Sequence, residues 1–262
     1  GEITWLPNPQ NRIHCDGKYA CKPQFHRPFS TSLETYKYEG KHMYVDTAGG
    51  GKNGDETVAA VTYFLHGYIF LAEILKLQGG YSDTNYKALS KLSWKHQVNS
   101  IDVEKNFGFG AFASAWKPVL ISYYKEMGGS GCPPVEDVWE SGQKELRIID
   151  TLEPIMGRHR LIVHEDIIDY DVESTSKYPL DQRESYKLFH QMSKVTVEPK
   201  SLIHDDSLDA VAGSCRKWVE HIAVDEKTRM EQKVTDENID FFAEWGADIG
   251  PNNKGVLGSS SD

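Results

Sequence analysis

Only four of the 262 residues are cysteine: Cys15, Cys21, Cys132 and Cys215. That is too few for a disulfide framework in a chain of this length, so we expect a reducing, cytoplasmic setting. His14, Cys15, Cys21 and His26 lack a C-x-x-C pair, and a zinc site is not expected there. No apolar run reaches membrane length, because the longest candidate is interrupted by His66, Gly67 and Glu73. The opening "GEITWLPNPQ" has neither the basic start nor the apolar centre of a signal peptide. No internal repeat occurs. What remains is 39% hydrophobic and 26% charged, the balance of an ordinary globular domain. The length suits one large domain with extensions and a sizeable core.

Positive charge is also in short supply, with a net charge of −10. From residue 223 onward nine Asp/Glu face four Lys/Arg, so half of the excess sits in the last forty residues. Acids gathered around cations add to the total without repelling a polyanion once the ions are bound. Net charge therefore does not decide for or against nucleic acid.

The stretch "YVDTAGGGKNGDET", residues 44–57, has the glycines and lysine of a phosphate cradle but not its order. A Walker loop needs a glycine, four residues, then Gly-Lys and Ser or Thr. Here Asn53 follows Gly51-Lys52, and Asp46 occupies the upstream glycine position. The segment after it is rich in strand formers rather than opening a helix. The glycines are therefore read as a mobile connection between two strands, a flap beside Asp46. Lys52 is then a point charge for one phosphate, and Asp55 an additional or water-mediated ligand, or simply a turn residue.

Three strands are expected between residues 41 and 76, with a hairpin turn at His66-Gly67. Helices are expected in "DTNYKALSKLSWKHQV", in "AFASAWKPVLISYYKEM" (kinked or started at Pro118), in "QKELRIIDTLEPIMGRH" and in "RESYKLFHQMSKV". Short strands fall in "NSIDVEKN" and "RLIVH". In the last helix, Leu208, Val211, Ala212, Cys215, Val219 and Ile222 make one apolar face. An antiparallel start followed by alternating helices and strands implies an α/β mixed sheet with helices on both faces. Residues 1–38 read as an extended arm, 39–222 as the folded domain, and 223–262 as an acidic helix with a flexible tail.

Carboxylates stand at three element ends: Asp46 after the first strand, Glu104 after "SIDVE", and Asp205, Asp206 and Asp209 at the start of the last helix. Taken singly, Asp46 suits an Asx turn, Glu104 a surface acid, and Asp205 or Asp206 a helix cap. Taken together, adjacent anions need a divalent cation, and hard oxygen donors select Mg2+ or Mn2+. Two such ions suit in-line phosphoryl displacement. On this reading Asp46 bridges both ions, Glu104 and Asp206 hold one each, and Asp205 and Asp209 are the fallback. Six lysines between residues 87 and 125, Lys105 among them, face only Asp102 and Glu104. Lys144, Arg147, Arg158 and Arg160 form a second basic group. Both groups are candidate DNA contacts or solvated helix faces.

The segments "YVDTAGGGKNGDETVAAVTYFLHGYIFLAEI", "GGYSD", "VEKNFGFGAF", "KELRIIDTLEPIMGRHRLIV" and "HDDSLDAVA" resemble, in this order, the nuclease half of the large terminase subunit of short-tailed phages. The resemblance runs from about Lys41 to Ile222. It implies a ribonuclease-H-like fold and a metal-dependent endonuclease that cuts concatemeric viral DNA at the start and end of packaging. It implies acidic positions at Asp46, Glu104 and the HDD motif; by similarity to resolvases, whose last motif reads D-x-x-D-A, Asp206 and Asp209 match its two acids. The implied partners are double-stranded DNA, an ATPase motor domain, the portal protein and the small terminase subunit. The implied location is the host cytoplasm, transiently at the procapsid portal vertex. No Walker A motif is present, so an isolated nuclease domain without ATPase activity is expected, with residues 1–38 as the linker from the motor. A resolvase or integrase of the same fold and a non-catalytic DNA- or portal-docking module are the alternatives.

Overall fold

The computed structural model describes residues 37–48, 56–105 and 110–222. The glycine loop with Lys52 and Asp55, the arm before residue 37 and the acidic segment after residue 222 lie outside them. The chain divides into one unit up to Val219 and a second from Glu220 to Asp262. Of the second, only residues 220–222 are described, and they are helical.

The described strands form one sheet. β1 (Gly40–Asp46), β2 (Thr57–Leu65) and β3 (Tyr68–Leu77) run antiparallel in succession. β4 (Ser100–Glu104), β5 (Val135–Val138) and β6 (Leu161–Val163) then add in parallel, giving the order β5-β4-β1-β2-β3-β6. The expected mixed sheet, antiparallel first and parallel after, is what the chain builds. His66 and Gly67, at φ 52° and 80°, make the tight β2–β3 turn, whose mirror-image geometry matches strand twist.

Helices α1 (Asp83–His96) and α2 (Ala111–Glu126) cover one face. Alternation on β1 sends Met43 and Val45 to that side, and on β4 Ile101 and Val103, where they pack with Leu89, Leu92, Phe112 and Trp116. Pro118 lies inside α2 and does not start it. A mid-helix proline costs about 3 kcal/mol. Phe112, Ala113 and Trp116, all fully buried before it, hold the first turns in place, and the Trp116 indole donates to the Tyr86 carbonyl at 3.1 Å.

The last described helix, α6 (residues 206–222), packs through its buried face on the opposite side of the sheet. Gly213 is needed there, since a Cβ would come within 2.6 Å of the Tyr44 ring. Trp218 stacks on Phe64 at 5.2 Å and donates to the Thr62 hydroxyl at 2.7 Å. Its neighbours on the chain are α3 (Lys144–Gly157), α4 (Asp166–Glu173), a 3-10 turn (Arg183–Tyr186) and α5 (Leu188–Lys194). Two of the described elements were not expected. β5 is an edge strand, "VEDV", whose acids point to solvent, so it lacks apolar alternation; α4 is only eight residues long.

Candidate metal centre

The same alternation that fills the core builds the site. His42, Tyr44 and Asp46 lie on the α6 face of β1, and Asp102 and Glu104 on the matching face of β4. Thr47 donates to the Glu104 backbone carbonyl at 3.1 Å and ties the two strand ends together. Asp209, in the first turns of α6, completes the set: Asp46, Glu104 and Asp209 each present a carboxylate oxygen, all within 4.8 Å of one another. Asp46 and Asp209 are buried, 6% and 1% exposed.

Cations from α3 face these acids. The Lys144 ammonium stands 2.9 Å from Asp205, 3.1 Å from Asp209 and 3.8 Å from Asp46. Arg147 donates to both Asp209 oxygens, at 3.0 and 3.1 Å, and its Nε lies 3.2 Å from Glu140. Glu140 also accepts from the Tyr44 hydroxyl at 3.1 Å and pairs with Arg216. This network therefore holds five carboxylates against three cations.

The imbalance appears in the proton affinities. Burial above all pushes the Asp46 carboxyl well above the ordinary carboxylate range; Asp209 and Glu104 add to this against the pull of Lys144. Burial would lower Lys144, but Asp46, Asp209 and Asp205 outweigh it and hold the ammonium well above its ordinary value. Asp46 Oδ2 is buried and accepts no hydrogen bond among the described residues. A buried, unsatisfied carboxylate oxygen facing two further carboxylates fits a hard divalent cation.

The sequence-expected residues are thus divided. Asp46, Glu104 and Asp209 come together, and Asp205 lies beside them on Lys144. Asp206 opens α6 with its carboxylate directed elsewhere, accepting from the Glu56 backbone amide at 3.2 Å. Asp209, one turn further along α6, is the acid of this pair whose carboxylate reaches the cluster. Lys144 and Arg147 are inside the site, whereas Arg158 and Arg160 lie past the far end of α3, roughly 20 Å along its axis from Lys144. The four do not make one basic patch. Lys105 follows β4, its backbone amide donating to Val138 at 3.0 Å. Tyr44, Glu140 and Arg216 were not anticipated. Only Tyr44 left a trace in the sequence, two positions before Asp46 on the same strand face.

A mixed sheet with three acids gathered at the ends of β1 and β4 and the start of α6 defines a ribonuclease-H-like domain with a carboxylate centre. Residues 45–161 match the family described as Terminase Bacteriophage T7, Ribonuclease H-like domain. It is similar to the terminase large subunit of Enterobacteria phage T3, 35% identical over 207 residues, which cover 79% of this chain and 34% of that protein. The chain thus spans about a third of that relative's length. Among solved structures it is similar to the human cytomegalovirus terminase nuclease domain, Mn soaked and inhibitor bound, at 15% identity and a TM-score of 0.49, covering 72% of this chain and 88% of that one. It is also similar to the nuclease domain of the large terminase subunit of bacterial virus Sf6, at 10% identity and a TM-score of 0.39, covering 61% and 73%.

Proposed function

We propose that this domain is a metal-dependent endodeoxyribonuclease that cuts concatemeric phage DNA to begin and end genome packaging. The observation that carries the proposal is the convergence of Asp46, Glu104 and Asp209, each offering a carboxylate oxygen within 4.8 Å of the others, with Asp46 Oδ2 accepting no hydrogen bond among the described residues. These three residues would hold Mg2+ or Mn2+, two ions in the full site, with Asp205 beside them on Lys144 and Asp206 held on the Glu56 amide. The bound ions supply Lewis acidity and an activated water for in-line attack on a phosphodiester.

The chain's own residues supply the rest. Arg147 and Glu140 hold Asp209 in one orientation, and Thr47 keeps the β1 and β4 ends in register. Lys144, once the carboxylates have another counter-charge, is placed to pair with a phosphate oxygen. Lys105 and Lys52 flank the site in sequence and suit neighbouring phosphates; Arg158 and Arg160 would reach only more distant ones. In the packaging machine the domain would work with an ATPase motor domain, the portal protein and the small terminase subunit, at the procapsid portal vertex in the host cytoplasm.

The test is plasmid digestion with Mn2+ and then with EDTA. Cutting that requires free metal supports the proposal, and no cutting at any metal concentration contradicts it. Linear and four-way-junction substrates, offered together, distinguish a packaging nuclease from a junction resolvase.

A further inference from the structure

Glu56 is buried and stands immediately before β2, whose second residue, Val58, pairs with Asp46. It is held from two directions. Its backbone amide donates to Asp206 Oδ2 at 3.2 Å, in the first turn of α6. Its carboxylate accepts from the Tyr178 hydroxyl at 2.7 Å and pairs with the Lys177 ammonium at 2.6 Å. The Tyr178 ring stacks on Tyr186 at 3.7 Å, and Tyr186 stacks on His204 at 3.8 Å. His204 leads directly into Asp205 and Asp206. The contacts close a circuit from the start of β2 through three stacked rings to the start of α6, and back.

That start is where α6 most needs holding. Asp205, Asp206 and Asp209 gather there, with Asp209 against Asp46 and Glu104, and like charges this close push the helix end off the sheet. Lys144 and Arg147 offset part of the repulsion. The contacts that orient α6 by packing, Gly213 against Tyr44 and Trp218 on Phe64, lie about 6 and 14 Å further along it than Asp209. Gln191 of α5 accepts from the Leu208 amide at 3.0 Å in the same turn, and the bond to Glu56 adds a tie to the sheet itself. We propose that Glu56 and Asp206 are positioning residues for the metal centre. The Asp206 carboxylate anchors α6 on the Glu56 amide, so that Asp209, one turn on, meets Asp46 and Glu104. Asp206 then serves as an acceptor for an amide and not as a metal ligand. The inference rests on the reading of Asp46, Glu104 and Asp209 as that centre.

The experiment measures Mn2+ affinity by calorimetry, and the thermal midpoint without metal, for the protein and for Asp206→Asn, Asp206→Ala and Tyr178→Phe variants. Asparagine keeps a carbonyl that accepts from the Glu56 amide but lacks the charge of a ligand; alanine lacks both. Asp206→Ala is expected to weaken Mn2+ binding about 10–100-fold, the range for a group that orients a metal ligand. Asp206→Asn is expected to bind nearly as the parent does. Tyr178→Phe keeps the ring stack and loses the bond to Glu56, so it should weaken binding in the same direction, by less. Equal losses in Asp206→Asn and Asp206→Ala would make Asp206 a ligand and overturn the inference. A lower thermal midpoint with unchanged Mn2+ affinity in Asp206→Ala also overturns it, since a bond that only stabilises the fold gives that result. Unchanged affinity in Tyr178→Phe overturns it as well, and decides the matter if Asp206→Ala does not fold. If the parent itself binds no Mn2+, the metal-centre reading fails and this inference with it. If the parent binds and Asp206→Ala binds equally, only the roles of Glu56 and Asp206 are lost.

Discussion

Two buried charged groups in this domain have opposite characters. On β3, the Lys76 ammonium pairs with Asp171 at 2.8 Å and donates to the Tyr186 carbonyl at 2.9 Å. Asp171 also accepts from the Leu188 and Phe189 amides at 2.7 and 3.2 Å. One cation meets one anion, and the hydrogen bonds around them complete the pair. At the other group, Asp46, Glu104 and Asp209 outnumber their counter-charges and leave Asp46 Oδ2 without a hydrogen bond among the described residues. Satisfied buried charge fixes where α4 and α5 meet the sheet. Unsatisfied buried charge is a cost to the fold that only a ligand relieves.

This contrast can be broken by mutation, and the largest effect is expected at the unsatisfied group. Asp46→Asn should abolish plasmid cutting, beyond the roughly 10–100-fold loss typical of a residue behind a metal ligand. The metal-free protein should unfold at the same temperature or higher, because one repelling charge is gone. A variant that still nicks at the parental rate would remove Asp46 from the site.

At the satisfied pair the pattern reverses. Lys76→Met or Asp171→Leu alone should cost about 3–5 kcal/mol in denaturant unfolding, since each strands the partner charge. The double variant should recover much of the loss, and Mn2+ affinity in the folded fraction should not change. A double variant whose loss equals the sum of the two single losses would show that the pair is not coupled.

Intermediate effects belong to the network behind Asp209. Arg147→Ala and Glu140→Gln should each weaken Mn2+ binding about 10–100-fold, measured by calorimetry, by loosening the Asp209 carboxylate. Unchanged affinity would mean that Asp209 is held without them.

The smallest effect concerns His42, beneath the site on β1. Burial, with Lys217 nearby, pushes its imidazole down from 6.5 to about 3, despite Asp102 at 3.4 Å. The unfolded chain therefore takes up this proton first as pH falls. Stability from this group is complete above pH 6.5 and is lost progressively toward pH 3. His42→Gln should flatten the dependence of unfolding free energy on pH in that window, and an unaltered slope would assign it to other groups.

Much of this was legible in the chain. The strands that end in Asp46 and in "SIDVE" were both expected, and with them the placing of Asp46 and Glu104 at strand ends. The long apolar stripe from Leu208 gave α6. The choice among the acids of the HDD motif was not legible, because it depends on how α6 is rotated against β1. Gly213 against Tyr44 and Trp218 against Phe64 set that rotation, and both are contacts between residues far apart in sequence. Edge strand β5 was hidden because an edge needs no apolar alternation, and with it went Glu140 and the Arg147 network. Lys144 and Arg147 were recognised as basic but not as partners of the carboxylates, since α3 meets α6 only in the folded chain.

On the reading proposed above, Asp46, Glu104 and Asp209 hold the metal. Anomalous diffraction from a Mn2+-soaked crystal tests it most directly. A strong anomalous peak is expected among the carboxylates of these three residues, absent from an Asp209→Asn crystal soaked in the same way. A peak centred on Asp206 and Glu56, or none at saturating Mn2+ in an intact site, would contradict it.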